Sequence, residues 1–81
     1  MFRVSYYTNT KKSSEKHRDF LNKREACVFF LKVAKKGATY PVIWDYTNHK
    51  GIGIDDLPTW WYIKGKEKEV IGYIMGIRWG E

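Results

Sequence analysis

Apolar and polar positions alternate from the start of the chain, where Phe2, Val4 and Tyr6 are separated by Arg3, Ser5 and Tyr7. A period of two puts one set on each side of an extended backbone, so residues 2–8 are predicted as a strand with one buried face. The polar run Asn9-Thr10-Lys11-Lys12-Ser13-Ser14 supplies turn residues, and residues 17–21 then return as an antiparallel partner, completing a hairpin.

The period changes after Leu21. Ala26, Phe29, Phe30, Val33 and Ala34 fall at i, i+3, i+4, i+7 and i+8, the stripe of a helix packed on one side. Asn22 stands ahead of them as an N-cap, with Glu25 three positions later. The helix is expected over about residues 23–36. Lys35 and Lys36 suit its negative C-terminal end, and Gly37 can take the left-handed conformation that stops it.

Period two resumes in Tyr40, Val42, Trp44 and Tyr46, which predicts a third strand, with Pro41 tolerated only at its start or on an edge. Residues 47–58 read as a long loop, a length more often functional than structural. Residues 59–63 and 69–79 read as a second hairpin around Lys64-Gly65-Lys66-Glu67-Lys68, with Ile71, Tyr73, Met75, Ile77 and Trp79 on one face of its last strand. In an alternative reading, Asp56 caps a short helix with Pro58 in its first turn, which puts Trp60 and Trp61 on a helix. The expected architecture is α+β, in the order ββαβββ: a small antiparallel sheet with one helix packed on a face.

A chain of 81 residues has room for one small core, so residues 1–81 are expected to form a single domain, with a homodimer as one way to supplement its stability. A hydrophobic content of 43%, with 17% aromatics, is enough to fold. Cys27 is the one cysteine, which excludes an intramolecular disulfide and suits a reducing cytoplasm. No signal-like apolar region or membrane-spanning run is evident, so a cytoplasmic protein with no membrane partner is expected.

Charge is divided unequally along the chain. Residues 1–40 carry ten Lys/Arg against three acidic side chains, a net of +7, whereas residues 41–81 carry five against six, a net of −1. A positive half of this kind is the electrostatic footprint expected for a polyanion, and it argues against mimicry of DNA, which needs an acidic face.

Candidate chemistry is sparse. Cys27 reads as a small buried hydrophobe, since no cationic setting or base accompanies it. His17, His49 and Cys27 are too scattered for zinc, and no metal or cofactor is expected. Asp45, His49, Asp55 and Asp56 gather near the long loop without a diagnostic spacing, and read as turn formers and solvated charge. Gly51-x-Gly53 lacks the third glycine and the Lys-Ser/Thr of a phosphate loop, and reads as loop flexibility. These absences point away from an enzyme.

Aromatics carry more. Trp60 and Trp61 are adjacent, so on a strand they face opposite ways and at least one is exposed. Exposed aromatics beside cations stack on unpaired bases or anchor protein interfaces. The candidate residues for binding nucleic acid or a partner are therefore Lys11, Lys12, Lys16, Arg18, Lys23, Arg24, Trp60 and Trp61.

The run from Arg18 to Ala26 is a strand, cap and helix unit common to many small proteins. In size and composition the chain is similar to accessory proteins of phages and mobile elements, including anti-CRISPR and other anti-defence inhibitors. That resemblance rests on no motif and transfers no residue. It implies a stoichiometric inhibitor or adaptor acting on a nucleic-acid-handling enzyme. The alternative is direct DNA or RNA binding by the basic N-terminal half with exposed aromatics.

Overall fold

The computed structural model describes residues 1–8 and 15–77. Strands β1 (Phe2–Tyr7) and β2 (Glu15–Phe20) pair antiparallel, with Val4 opposite Arg18 and Tyr6 opposite Lys16. Helix α1 (Lys23–Lys35) follows, and Asn22 Oδ1 accepts the Glu25 N–H at 3.0 Å, so the N-cap read from the sequence is present. Gly37, at φ 88°, takes the left-handed conformation just past the helix end.

Strand β3 (Thr39–Asp45) pairs antiparallel with β1, and β4 (Lys50–Gly53) pairs with the far side of β3. The sheet order is β2-β1-β3-β4. Ser5 faces Val42 and Tyr7 faces Thr39, so Tyr6 stands opposite both Tyr40 and Pro41, a bulge with Tyr40 at φ 50°. Pro41 is thus near the start of its strand, as expected. It lies in an interior strand, however, and is tolerated where the ladder is already interrupted.

Three expectations for the second half are overturned. First, residues 47–58 are not one long loop. Only 46–49 turn, and β4 and a 3-10 turn (Ile54–Asp56) follow. Second, the expected strand over residues 59–63 is a series of turns, with Trp61 N donating to Pro58 O at 3.0 Å and Ile63 N to Trp60 O at 3.1 Å. The short helix capped by Asp56 is not formed either.

Third, residues 69–76 of the last expected strand belong to helix α2 (Glu67–Gly76), Ile77 follows in an extended conformation, and Trp79 lies outside the described residues. Its apolar positions fit both periods, and packing decides between them. As a helix, Val70, Ile71 and Ile74 fall on one side and are buried against α1, at roughly 1.5–3 kcal/mol each. Glu67 and Glu69 stand at the positive N-terminal end of α2. The order is therefore β1β2α1β3β4α2 in place of ββαβββ, and the α+β class with an antiparallel sheet stands.

The core lies between the sheet and the helices. Val4, Ile43 and Ile52 are level with one another on β1, β3 and β4, and all three are buried beneath α1 with Ala26, Phe30 and Val33. The opposite flank of α1 meets α2, where Cys27 Sγ approaches Met75 Sδ at 3.8 Å and Lys35 pairs with Glu67 at 3.1 Å. Burial pushes the Cys27 thiol up to about 11, so it stays protonated and packs as a small apolar side chain. No described helix is long and apolar enough to cross a membrane.

Candidate nucleic-acid interface

Helix α1 sits over β1 and β3 and leaves the inner side of the edge strand β2 largely uncovered. Alternation along β2 sends Lys16, Arg18 and Phe20 to that inner side. On α1, Arg24, Val28, Lys32 and Lys36 recur every four residues and form a ridge that borders the β2 side of the helix, and Val28, Lys32 and Lys36 border the α2 side as well. The space between ridge and strand is a groove with two joined hollows. One, of about 500 Å³, is lined by Arg18, Phe20, Arg24, Phe29 and Lys32; the other, of about 330 Å³, by Tyr6, Phe29, Lys32 and Lys36.

The groove has an aromatic floor. Phe29 lies 5.4 Å from Phe20 and 6.1 Å from Tyr6, centroid to centroid. Arg18 spans this floor, its guanidinium carbon 5.5 Å from the Phe20 ring and 5.3 Å from the Phe29 ring. Held on two rings, the guanidinium keeps its planar fork in place while its donors remain available to a ligand. Arg18, Arg24, Lys32 and Lys36 thus line the groove, Lys16 lies on the same face of β2 opposite Tyr6, and among the described lining residues Glu25 is the acid.

Of the residues singled out in the sequence, Arg18 and Arg24 come together here, and Lys16 lies on the same face of β2 without lining the groove. Lys23 is half-buried and does not line the groove; its charge, like that of Arg24, acts on the Cys27 thiol. Lys11 and Lys12 lie outside the described residues. Trp60 and Trp61 are not part of the groove: Trp61 packs against the core, and Trp60 is exposed on the turns before α2. Lys32, Lys36, Phe20, Phe29 and Tyr6 were missed, although the four-residue spacing from Arg24 to Lys36 was a readable signal.

Of the other candidate groups, Asp45 and Asp56 have structural partners. The Asp45 carboxylate is buried and accepts from Thr47 N at 3.0 Å, Asn48 N at 3.3 Å and Asn48 Nδ2 at 2.7 Å. Burial alone would raise its pKa, but the hydrogen bonds from the Asn48 side chain and from the Asn48 and Thr47 backbones outweigh it and hold the carboxyl below its usual range. Asp56 accepts from Gly53 N at 2.9 Å, and His49 sits in the β3–β4 turn at φ 54°. Among the described residues no group of three His, Cys, Asp or Glu side chains is placed to hold a metal ion. Gly51 and Gly53 are strand residues and not a flexible loop.

The outer side of the sheet differs from the groove in charge. Arg3 donates to Asp19 through Nε at 2.7 Å and Nη2 at 3.1 Å, and its guanidinium lies 5.4 Å from the Tyr46 ring. This fork raises the Arg3 pKa and lowers that of Asp19, so both stay charged and satisfied. Comparison with protein-family models, curated proteins and solved structures finds no match to this chain.

Proposed function

We propose that this protein acts by binding nucleic acid directly, with the groove between β2 and α1 holding the phosphate backbone. The supporting observation is the convergence of Arg18, Arg24, Lys32 and Lys36 on one aromatic-floored groove, with Lys16 on the same face of β2 opposite Tyr6. Arg24 to Lys36 spans about 18 Å of helix, the length of about five phosphates on one strand. The floor gives bases an apolar surface on which to stack, and the ridge supplies charge alongside it. In this reading the protein is a cytoplasmic binding module that carries out no reaction.

The test is fluorescence anisotropy with labelled single-stranded DNA, RNA and duplex at about 50 and 200 mM salt. Four or five phosphate contacts predict that affinity falls on the order of a hundredfold across that range. Absence of binding at the lower salt would refute the proposal.

A second reading, the inhibitor or adaptor on a nucleic-acid-handling enzyme, is supported by the turns before α2. Trp60, Tyr62 and Ile63 are exposed there, apart from the groove, and Trp and Tyr are the residues that most often anchor protein interfaces. On this reading the groove meets nucleic acid already held by the enzyme, or an acidic surface on it. A host partner retained after nuclease treatment and lost on Trp60→Ala would favour it. A partner lost with nuclease would favour direct binding.

A further inference from the structure

The outer face of the sheet is covered by no described element, because α1 lies on the inner side and α2 packs on α1. Alternation places Tyr7, Val42 and Trp44 outward, with Tyr40 beside Tyr7 and Tyr46 beside Trp44. Tyr40 is 77%, Tyr46 40% and Val42 39% exposed. The six-membered ring of Trp44 lies over Gly51, so the face has little relief there. A contiguous apolar patch of this kind marks an interaction surface.

Its charge decides what fits. Arg3 is paired with Asp19, and the remaining titratable side chains that β1 and β2 direct outward are Glu15, His17 and Tyr7. Among the described residues the face therefore carries no excess positive charge, in a chain of net +6 whose groove cations point to the other side. A polyanion has little to hold it here. Two copies of the chain repel in most orientations, but outer face to outer face they meet with their basic grooves turned away from each other.

We propose that the outer face docks a second copy of this chain, sheet against sheet. Four strands about 4.8 Å apart, three of six or seven residues and β4 of four, at about 3.3 Å per residue, give a footprint of at most roughly 19 by 20 Å per copy. That is at or below the low end of specific interfaces, so the dimer is weak and concentration-dependent, with Kd in the micromolar range. Its two grooves face outward on opposite sides.

Sedimentation equilibrium from about 5 to about 500 µM, at low and high salt, tests this. A monomer–dimer equilibrium that high salt weakens little is expected, because the Tyr7, Tyr40, Val42, Trp44 and Tyr46 patch is uncharged and Arg3 is already paired with Asp19. Tyr40→Glu and Tyr46→Glu should each weaken it by about tenfold or more with an unchanged circular dichroism spectrum. Trp60→Glu, on the rival exposed turn, should leave it unaltered. If Tyr46→Glu perturbs folding, Tyr40→Glu decides, since that ring is largely in solvent. A monomer at the highest concentration overturns the proposal, as does a dimer that Trp60→Glu dissociates and Tyr40→Glu does not. A monomer that binds single-stranded oligonucleotide through Tyr40 and Tyr46 overturns it in favour of a base-stacking face, whereas loss of groove binding alone leaves the dimer standing.

Discussion

The indole of Trp44 lies against the backbone of Gly51, its cross-strand partner, and the two are matched in shape. A Cβ at position 51 would press into Trp44 Cε3, stand 2.9 Å from Cζ3 and come within 3.0 Å of the Ile43 carbonyl oxygen. The glycine is there because the ring occupies the place of its side chain, an arrangement that shields glycine backbone in a sheet. Gly51→Ala should therefore destabilise the fold by about 1–3 kcal/mol, the cost of overpacking. In a Trp44→Ala background the same change should cost much less. Urea unfolding of the four-member cycle measures the coupling, and additive costs would show that the ring is not the obstacle.

Asp45 closes the β3–β4 turn. Asp45→Ala leaves the Thr47 and Asn48 N–H groups without their carboxylate, and should lower stability by about 1–3 kcal/mol. Its folded pKa lies below the ordinary value of 3.8, so its contribution is present above about pH 4 and is lost as pH falls through the folded value. Thermal melts from neutral pH down to about pH 2 should show Asp45→Asn losing less stability on acidification than the parent. Asp19, depressed by Arg3, accounts for part of what remains. Identical acid profiles for parent and variant would contradict the assignment.

The first half of this fold was legible because each local signal agreed with its surroundings. Asn22, the stripe from Ala26 to Ala34 and Gly37 define a helix on any reading, and Phe2, Val4 and Tyr6 alternate without ambiguity. Residues 67–77 were not legible, because Ile71, Tyr73, Met75 and Ile77 satisfy a strand while Val70, Ile71 and Ile74 satisfy a helix. Only a partner surface separates the two, and it was half-visible: Cys27 and Leu31 widen the apolar side of α1 beyond what one sheet can cover. The groove was half-legible for the same reason. Charge along the sequence identified Lys16, Arg18 and Arg24, but the pairing register that seats Lys16 beside Tyr6 is set by β1 and β2 together.

Within the groove, charge and shape should separate by substitution. Lys32→Ala removes a phosphate contact, so it should weaken binding of all sequences alike and reduce the salt slope by about 0.7–0.9. Arg18→Lys keeps the charge but loses the plane that lies on Phe20 and Phe29. It should therefore weaken binding several-fold with little change in the slope. Anisotropy at a series of salt concentrations reads both quantities. Equal slopes for the parent and Lys32→Ala would remove that lysine from the interface.

Trp60 and Trp61 are neighbours with different attachments. Trp61 packs against the cluster formed by Leu57, Val70 and their neighbours, with Tyr62 edge-on at 6.3 Å, whereas Trp60 is among the exposed large apolar side chains. Truncating Trp61 opens a gap beside the core that the surrounding turns fill only in part, so Trp61→Ala should cost about 1–3 kcal/mol. Trp60→Ala should stay within about 0.5 kcal/mol of the parent, as surface changes do. If the turns instead fold over Trp60 in solution, the order of the two costs reverses. Parallel urea titrations of the two variants, with the slope of the transition checked for constancy, distinguish these outcomes.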